Sequence, residues 1–259
     1  MFHCEHGRWY EAKRFLTEKP ELLWTSRDVL DGSTPVMWMI FERNMEMLQW
    51  SLELIRRQPI ERQQDLLKRT FEAHTRDGET CVSWSCKGGK DSTSVMQFLV
   101  EHSPSGIRTL EASDRENGYL PIHDAAQYGN VSALKFIVDH APSGVELLQR
   151  EIVSGATPAH IAAHLNHTKT LEFILIHAPL GLGLLDIRTK IFSDTVWDMM
   201  SQKTRDYFNE QKLYEIMFRR ELQTVYNNYS SFETNSLIVL MFEVIVQETE
   251  KLMFLRKLV

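Results

Sequence analysis

The chain has 259 residues, enough for one large domain or two small ones, with 43% hydrophobic and 25% charged residues. A net charge of −6, with both signs mixed along the chain, argues against a nucleic-acid surface. Three cysteines, Cys4, Cys81 and Cys86, make an odd count in a long chain and argue against a disulfide framework, so a reducing compartment is the simpler expectation.

The opening run MFHCEHGRWYEAKRF has no apolar stretch of the kind a secretory signal needs. The segment GRWYEAKRFLTEKPELL from Gly7 reads as an amphipathic helix closed by Pro20, which lies 13 residues after Gly7. GSTPVMW from Gly32 and GETCVSW from Gly78 each place a glycine turn before a short helix.

Cys86 to Ser94, CKGGKDSTS, looks like chemistry. Two glycines, lysines, an aspartate and hydroxyls precede a helix, which is how a phosphate-cradling loop is built. The stretch resembles the SGGxDS motif of the ATP-pyrophosphatase (PP-loop) enzymes. That resemblance implies an ATP-dependent enzyme using Gly88, Gly89, Asp91 and Ser92. Lys87, however, stands where the motif has its first serine. The alternative is an elongated turn between two helices, and the register of the following segments favours it.

Those segments repeat. SPSGIRTL, APSGVELL and APLGLGLL place Pro104, Pro142 and Pro179 at spacings of 38 and 37, and Phe98, Phe136 and Phe173 share them. GYLPIH from Gly118 and GATPAH from Gly155 are again 37 apart, and SDTVWDM from Ser193 is a weaker copy. Each unit reads as a Gly/Thr-Pro turn, a short helix, a small turn, a second amphipathic helix ended by proline, and a loop of about ten residues. GYLPIHDAAQYGN and GATPAHIAAHLNH resemble the ankyrin repeat, whose signature is G-x-T-P-L-H-x-A-A-x-x-G-[HN]. The likeness covers roughly residues 5–212 and is closest over 114–185. It implies an all-α protein: an α-solenoid of about four to five ankyrin-type helix-turn-helix units over 1–212, the first and last degenerate, with a helical extension over 213–259. In that register Asp91 falls on the turn between the helices of its unit, at the place of Gly129.

The resemblance also implies a role. An array of this kind offers an extended surface for proteins rather than a closed pocket. The expected function is non-catalytic protein recognition, as an adaptor or scaffold, with no cofactor and no metal. The expected contact residues are Asp114, Arg115, Arg150, Glu151 and Arg188 on finger-like loops, Tyr119 at the base of one, and Tyr128 and His164 at the ends of first helices. His160, His164 and His167 lie at i, i+4 and i+7, a spacing that suits zinc on an unbroken helix. His160 and His123, though, occupy the turn position where the repeat's histidine is structural. Ala125-Ala126 and Ala162-Ala163 are small so that adjacent helices approach closely.

Residues 213–259 read as two helices separated by YSSFET, either a cap or a surface for self-association. Their longest apolar run, Leu237 to Val246, contains Glu243 and is far short of the ~20 residues needed to span a bilayer. The expected location is the cytoplasm. Export by a route without a signal peptide, to act on the proteins of a host, stays open.

Overall fold

The computed structural model describes residue 4 and residues 6–87, 92–114 and 117–229. The described residues are mostly helical and contain no strand or sheet, so the protein is all-α. In chain order the helices are α1 (Trp9–Glu18), α2 (Leu22–Thr25), α3 (Pro35–Phe41), α4 (Met45–Arg56), α5 (Ile60–Phe71), α6 (Cys81–Cys86), α7 (Thr93–His102), α8 (Pro121–Gln127), α9 (Val131–His140), α10 (Pro158–His164), α11 (Thr168–His177), α12 (Val196–Met199), α13 (Gln202–Tyr207) and α14 (Glu210–Tyr229). Among the described residues no helix is long and apolar enough to cross a membrane.

Five of these begin alike. A residue with positive φ sits three positions before the first helical residue: Gly32 (76°), Gly78 (86°), Gly118 (72°), Gly155 (81°) and Ser193 (58°). Four are glycine, for which that conformation is nearly free of cost. The start is then fixed by a cap. The Thr34, Thr80 and Thr195 hydroxyls accept the backbone N–H groups of Met37, Ser83 and Asp198. Pro35, Pro121 and Pro158 occupy the first helical position, where no N–H is needed.

The helices pack in two layers. The short first helices α3, α6, α8, α10 and α12 contact one another in that order. Ala125, Ala126, Ala162 and Ala163 are fully buried there, and their small side chains allow the close approach. The longer helices form the second layer in the order α4, α5, α7, α9, α11 and α14. Helix α5 has no counterpart in the first layer, where α3 touches α6 directly. It is the reason that Gly32 and Gly78 stand 46 residues apart when the later intervals are 40, 37 and 38.

The ten-residue loops expected after the prolines are partly ordered as 3-10 helices, Gly106–Glu111, Gly144–Gln149 and Gly181–Asp186. Each turns a leucine inward; Leu110, Leu148 and Leu184 are fully buried. That burial gives a short 3-10 turn the tertiary support its own hydrogen bonds lack.

The CKGGKDSTS stretch connects two helices. Cys86 ends α6, which contains the apolar run Val82 to Trp84, and Thr93 starts α7. Gly88, Gly89 and Asp91 lie outside the described residues. Ser92 is buried and its hydroxyl accepts from the Asn130 amide at 3.2 Å.

Helix α14 begins at Glu210 and runs across the expected division between 212 and 213. Residues 230–259, where the second C-terminal helix and the self-association surface were expected, lie outside the described residues. Lys212 on α14 donates to Glu172 of α11 at 2.8 Å and to Glu215 at 3.0 Å, and the Tyr207 hydroxyl donates to Glu172 at 2.6 Å. Burial pushes the Glu172 carboxyl up, but the bonds from Lys212 and Tyr207 outweigh it and hold the group below its ordinary range. The Arg220 guanidinium donates to the carbonyls of Leu175, Ile176, Ala178 and Pro179, closing the C-terminal end of α11.

Candidate functional site

The loops before two of the first helices, α8 and α10, are held by histidine. In α8 the His123 Nδ1 accepts the Leu120 N–H at 3.1 Å, and Nε2 donates to the Arg150 carbonyl at 2.8 Å. In α10 the Thr157 N–H and hydroxyl lie 3.2 and 2.9 Å from His160 Nδ1, and Nε2 donates to the Ile187 carbonyl at 2.9 Å. Each ring therefore ties its own helix to the end of the following 3-10 helix, 27 residues on. Burial lowers both groups, His123 to about 4, so the neutral ring is the native form. In α12 the same position is Asp198, whose carboxylate accepts the Thr195 N–H and hydroxyl at 3.0 and 2.7 Å.

Between the last of these units lies a groove of about 700 Å3. Its walls include Tyr119, Gln127, Ile161, His164, Leu165 and Phe192. Tyr119 is half-buried, with its ring 5.6 Å from that of His123, and burial pushes its phenol up. Phe192 is 74% exposed and Leu165 is 42% exposed. Two large apolar side chains thus stand in water beside a concavity. The carboxylates of Asp194 and Asp198 line the same groove.

The residues expected at the site divide. Tyr119 and His164 meet in the groove. Asp114 faces its own loop: its carboxylate accepts the N–H groups of Asn117 and Tyr119 at 2.9 and 3.1 Å. Arg115 lies outside the described residues. Arg150 is exposed and contributes its carbonyl to His123. Glu151 pairs with Lys190 at 2.6 Å, linking one finger loop to the next. Arg188 is exposed and donates to the Ser193 carbonyl at 2.7 Å.

Tyr128 belongs to a different neighbourhood. Burial pushes its phenol up, with Glu79, Asp124 and Cys86 adding to the effect. There Lys87 pairs with Glu79 at 2.7 Å and stands 4.5 Å over the Trp84 ring, and the Trp84 N–H donates to Glu79 at 2.9 Å. Asp124 is buried beside them, and burial raises it to about 7 despite a hydrogen bond from Ser83.

The three histidines at zinc spacing separate. His160 is buried in the first turn of α10, His164 is exposed at the groove, and His167 Nε2 donates to the Gln127 carbonyl at 2.9 Å. Among the described residues no group of three His, Cys, Asp or Glu side chains is arranged to hold a metal. Cys81 and Cys86 are buried, and burial raises both thiols, Cys81 to about 12.

Sequence reasoning missed Ile161, Leu165 and Phe192, although Ile191-Phe192 is an apolar pair inside an otherwise polar finger loop. It also missed a ladder on the second helices. Phe98–His102, Phe136–His140 and Phe173–His177 place their ring centroids 4.6, 4.2 and 4.4 Å apart. The signal was present, since the histidines recur at the phenylalanine spacings.

A scan of the sequence against protein-family models matches no family, and a search of the curated proteins finds no significant match.

Proposed function

We propose that the chain is an ankyrin-type solenoid that recognises a partner protein and performs no chemistry of its own. The fold reading rests on the five helix starts with a positive-φ residue, the two-layer order of helices and the histidine bridges at a 37-residue interval. The functional reading rests on one observation: Phe192 and Leu165 are exposed around a groove that also contains Tyr119. Aromatic side chains in such places dominate binding energy at protein interfaces. The contacts come from a finger loop and the ends of first helices, with Tyr119 as an anchor. The setting is intracellular, in keeping with three free and buried cysteines.

The test is a pull-down from lysate with the full chain, beside Tyr119→Ala/Phe192→Ala and Lys169→Gln variants. Circular dichroism checks that all stay folded. A partner captured by the parent and by Lys169→Gln, and lost by the double variant, supports the reading. A partner captured equally by all three removes the groove from it.

A further inference from the structure

Helix α5 leaves a second concavity, of about 610 Å3, on another part of the molecule from the groove. Its wall is built from three separate segments. Arg27 follows α2, Asp65, Lys68 and Arg69 project from α5, and Glu72 and Arg76 belong to the loop that leads to Gly78. Four cations therefore face two carboxylates.

Both carboxylates are already engaged. Asp65 pairs with Arg69 at 2.7 Å, and Glu72 accepts the Ser105 N–H at 2.6 Å. Arg27 donates to the carbonyl of its neighbour Ser26 at 2.9 Å, and Arg76 to the Leu30 carbonyl at 3.3 Å. Among the described residues no carboxylate lies within ion-pair distance of Arg27, Lys68 or Arg76. Burial lowers Arg27, so part of its hydration has been removed with no anion in exchange. The dipole of α5 accounts for Lys68 and Arg69, which stand in its last turn. It does not account for Arg27 and Arg76, which arrive from two other segments and converge on the same space.

We propose that this cleft is an anion site for a compact, multiply charged phosphate compound. Guanidinium forks match phosphate oxygens bidentately, and Lys68 adds a point charge to the same cleft. The volume is within the range of small-ligand pockets and exceeds what one inorganic phosphate fills. The ligand chemistry is two or more linked or neighbouring phosphates, carried by a free molecule or by a lipid headgroup.

The experiment titrates the full chain with inorganic tripolyphosphate by calorimetry at low salt. Saturable binding is expected, weakening as salt is raised. Arg27→Gln and Lys68→Gln should each weaken it about tenfold, while Lys169→Gln and the groove variant Tyr119→Ala leave it unchanged. Matching circular dichroism melts show that the variants fold. In a second arm the chain is sedimented with phosphatidylcholine vesicles, with and without phosphatidylinositol bisphosphate. Co-sedimentation that needs the bisphosphate and is lost in Arg27→Gln assigns the site to a headgroup. Tripolyphosphate binding without co-sedimentation assigns it to a free anion. Absence of saturable binding in both arms, or equal weakening by Lys169→Gln, overturns the proposal. The site does not share residues with the groove, so either reading can fail alone.

Discussion

The Arg220 guanidinium occupies the space that a side chain on Gly181 would fill. Gly181 has φ of 55°, and the carbonyls that Arg220 caps belong to the helix end just before it. The last described helix is therefore docked by a missing Cβ as much as by a present cation. Gly181→Ala should destabilise the chain by about 1–2 kcal/mol, through backbone strain and displacement of the guanidinium. Arg220→Ala should cost a similar amount by uncapping α11. The two act on one contact, so the double variant in urea unfolding should lose less than the sum. Strict additivity would mean that the contact contributes nothing.

Removing a histidine bridge should be costly. His123→Ala leaves the Leu120 N–H and the Arg150 carbonyl without their partner inside the protein. An unpaired buried group costs about 1–3 kcal/mol, and the urea midpoint should fall accordingly. The exposed Ser132, changed to alanine, should move it by less than about 0.5 kcal/mol. Equal effects would show that the bridge carries no stability.

The pH dependence of stability should be the balance of two neighbours with opposite signs. His123 is lowered from 6.5 to about 4, so the unfolded chain binds more protons in that window and stability rises with pH there, by roughly 3 kcal/mol. Asp124 is raised from 3.8 to about 7, so the folded chain binds the extra proton and stability falls as pH rises towards 7. Between about pH 4 and 6.5 these two largely cancel, and the lowered His102, His160 and His177 leave the parent only a shallow net rise. Asp124→Asn should turn that stretch into a clear rise and abolish the decline up to pH 7. Unfolding midpoints taken every half pH unit decide it; superimposable profiles would refute the assignment.

The alanine pairs set the spacing of the first layer. Ala162 is fully buried, with α8 on one side and α12 on the other. Ala162→Leu should cost about 1–3 kcal/mol by overpacking, read as a lower thermal midpoint. An unchanged midpoint would mean that the layer is looser than its burial implies.

Much of the helical order was legible because the chain punctuates itself. Gly118, Gly155, Pro121 and Pro158 fix backbone conformation locally, so their spacing reports the elements they start. The 3-10 helices were not legible, since nothing local separates GVELLQ from an irregular loop; the burial of Leu148 decides it. Helix α5 escaped because it copies no turn of the other units. Of the residues that line the groove, Tyr119 and His164 were singled out from their places beside turns, but Phe192 and Leu165 were not. Exposure of an apolar side chain is a tertiary property, and sequence pattern ranks such residues as core. Arg220 had no signal either, because the carbonyls it meets lie 41–45 residues earlier.

The histidine bridges also set an order of events for a chain that emerges from its N-terminus. The His123 ring finds its acceptor only when Arg150 has been made, and His160 waits in the same way for Ile187. These two units are thus latched by the segments that follow them. A nascent chain halted between these points ends in an unlatched unit, because synthesis must run 27 residues past each of the two rings before its bridge can close.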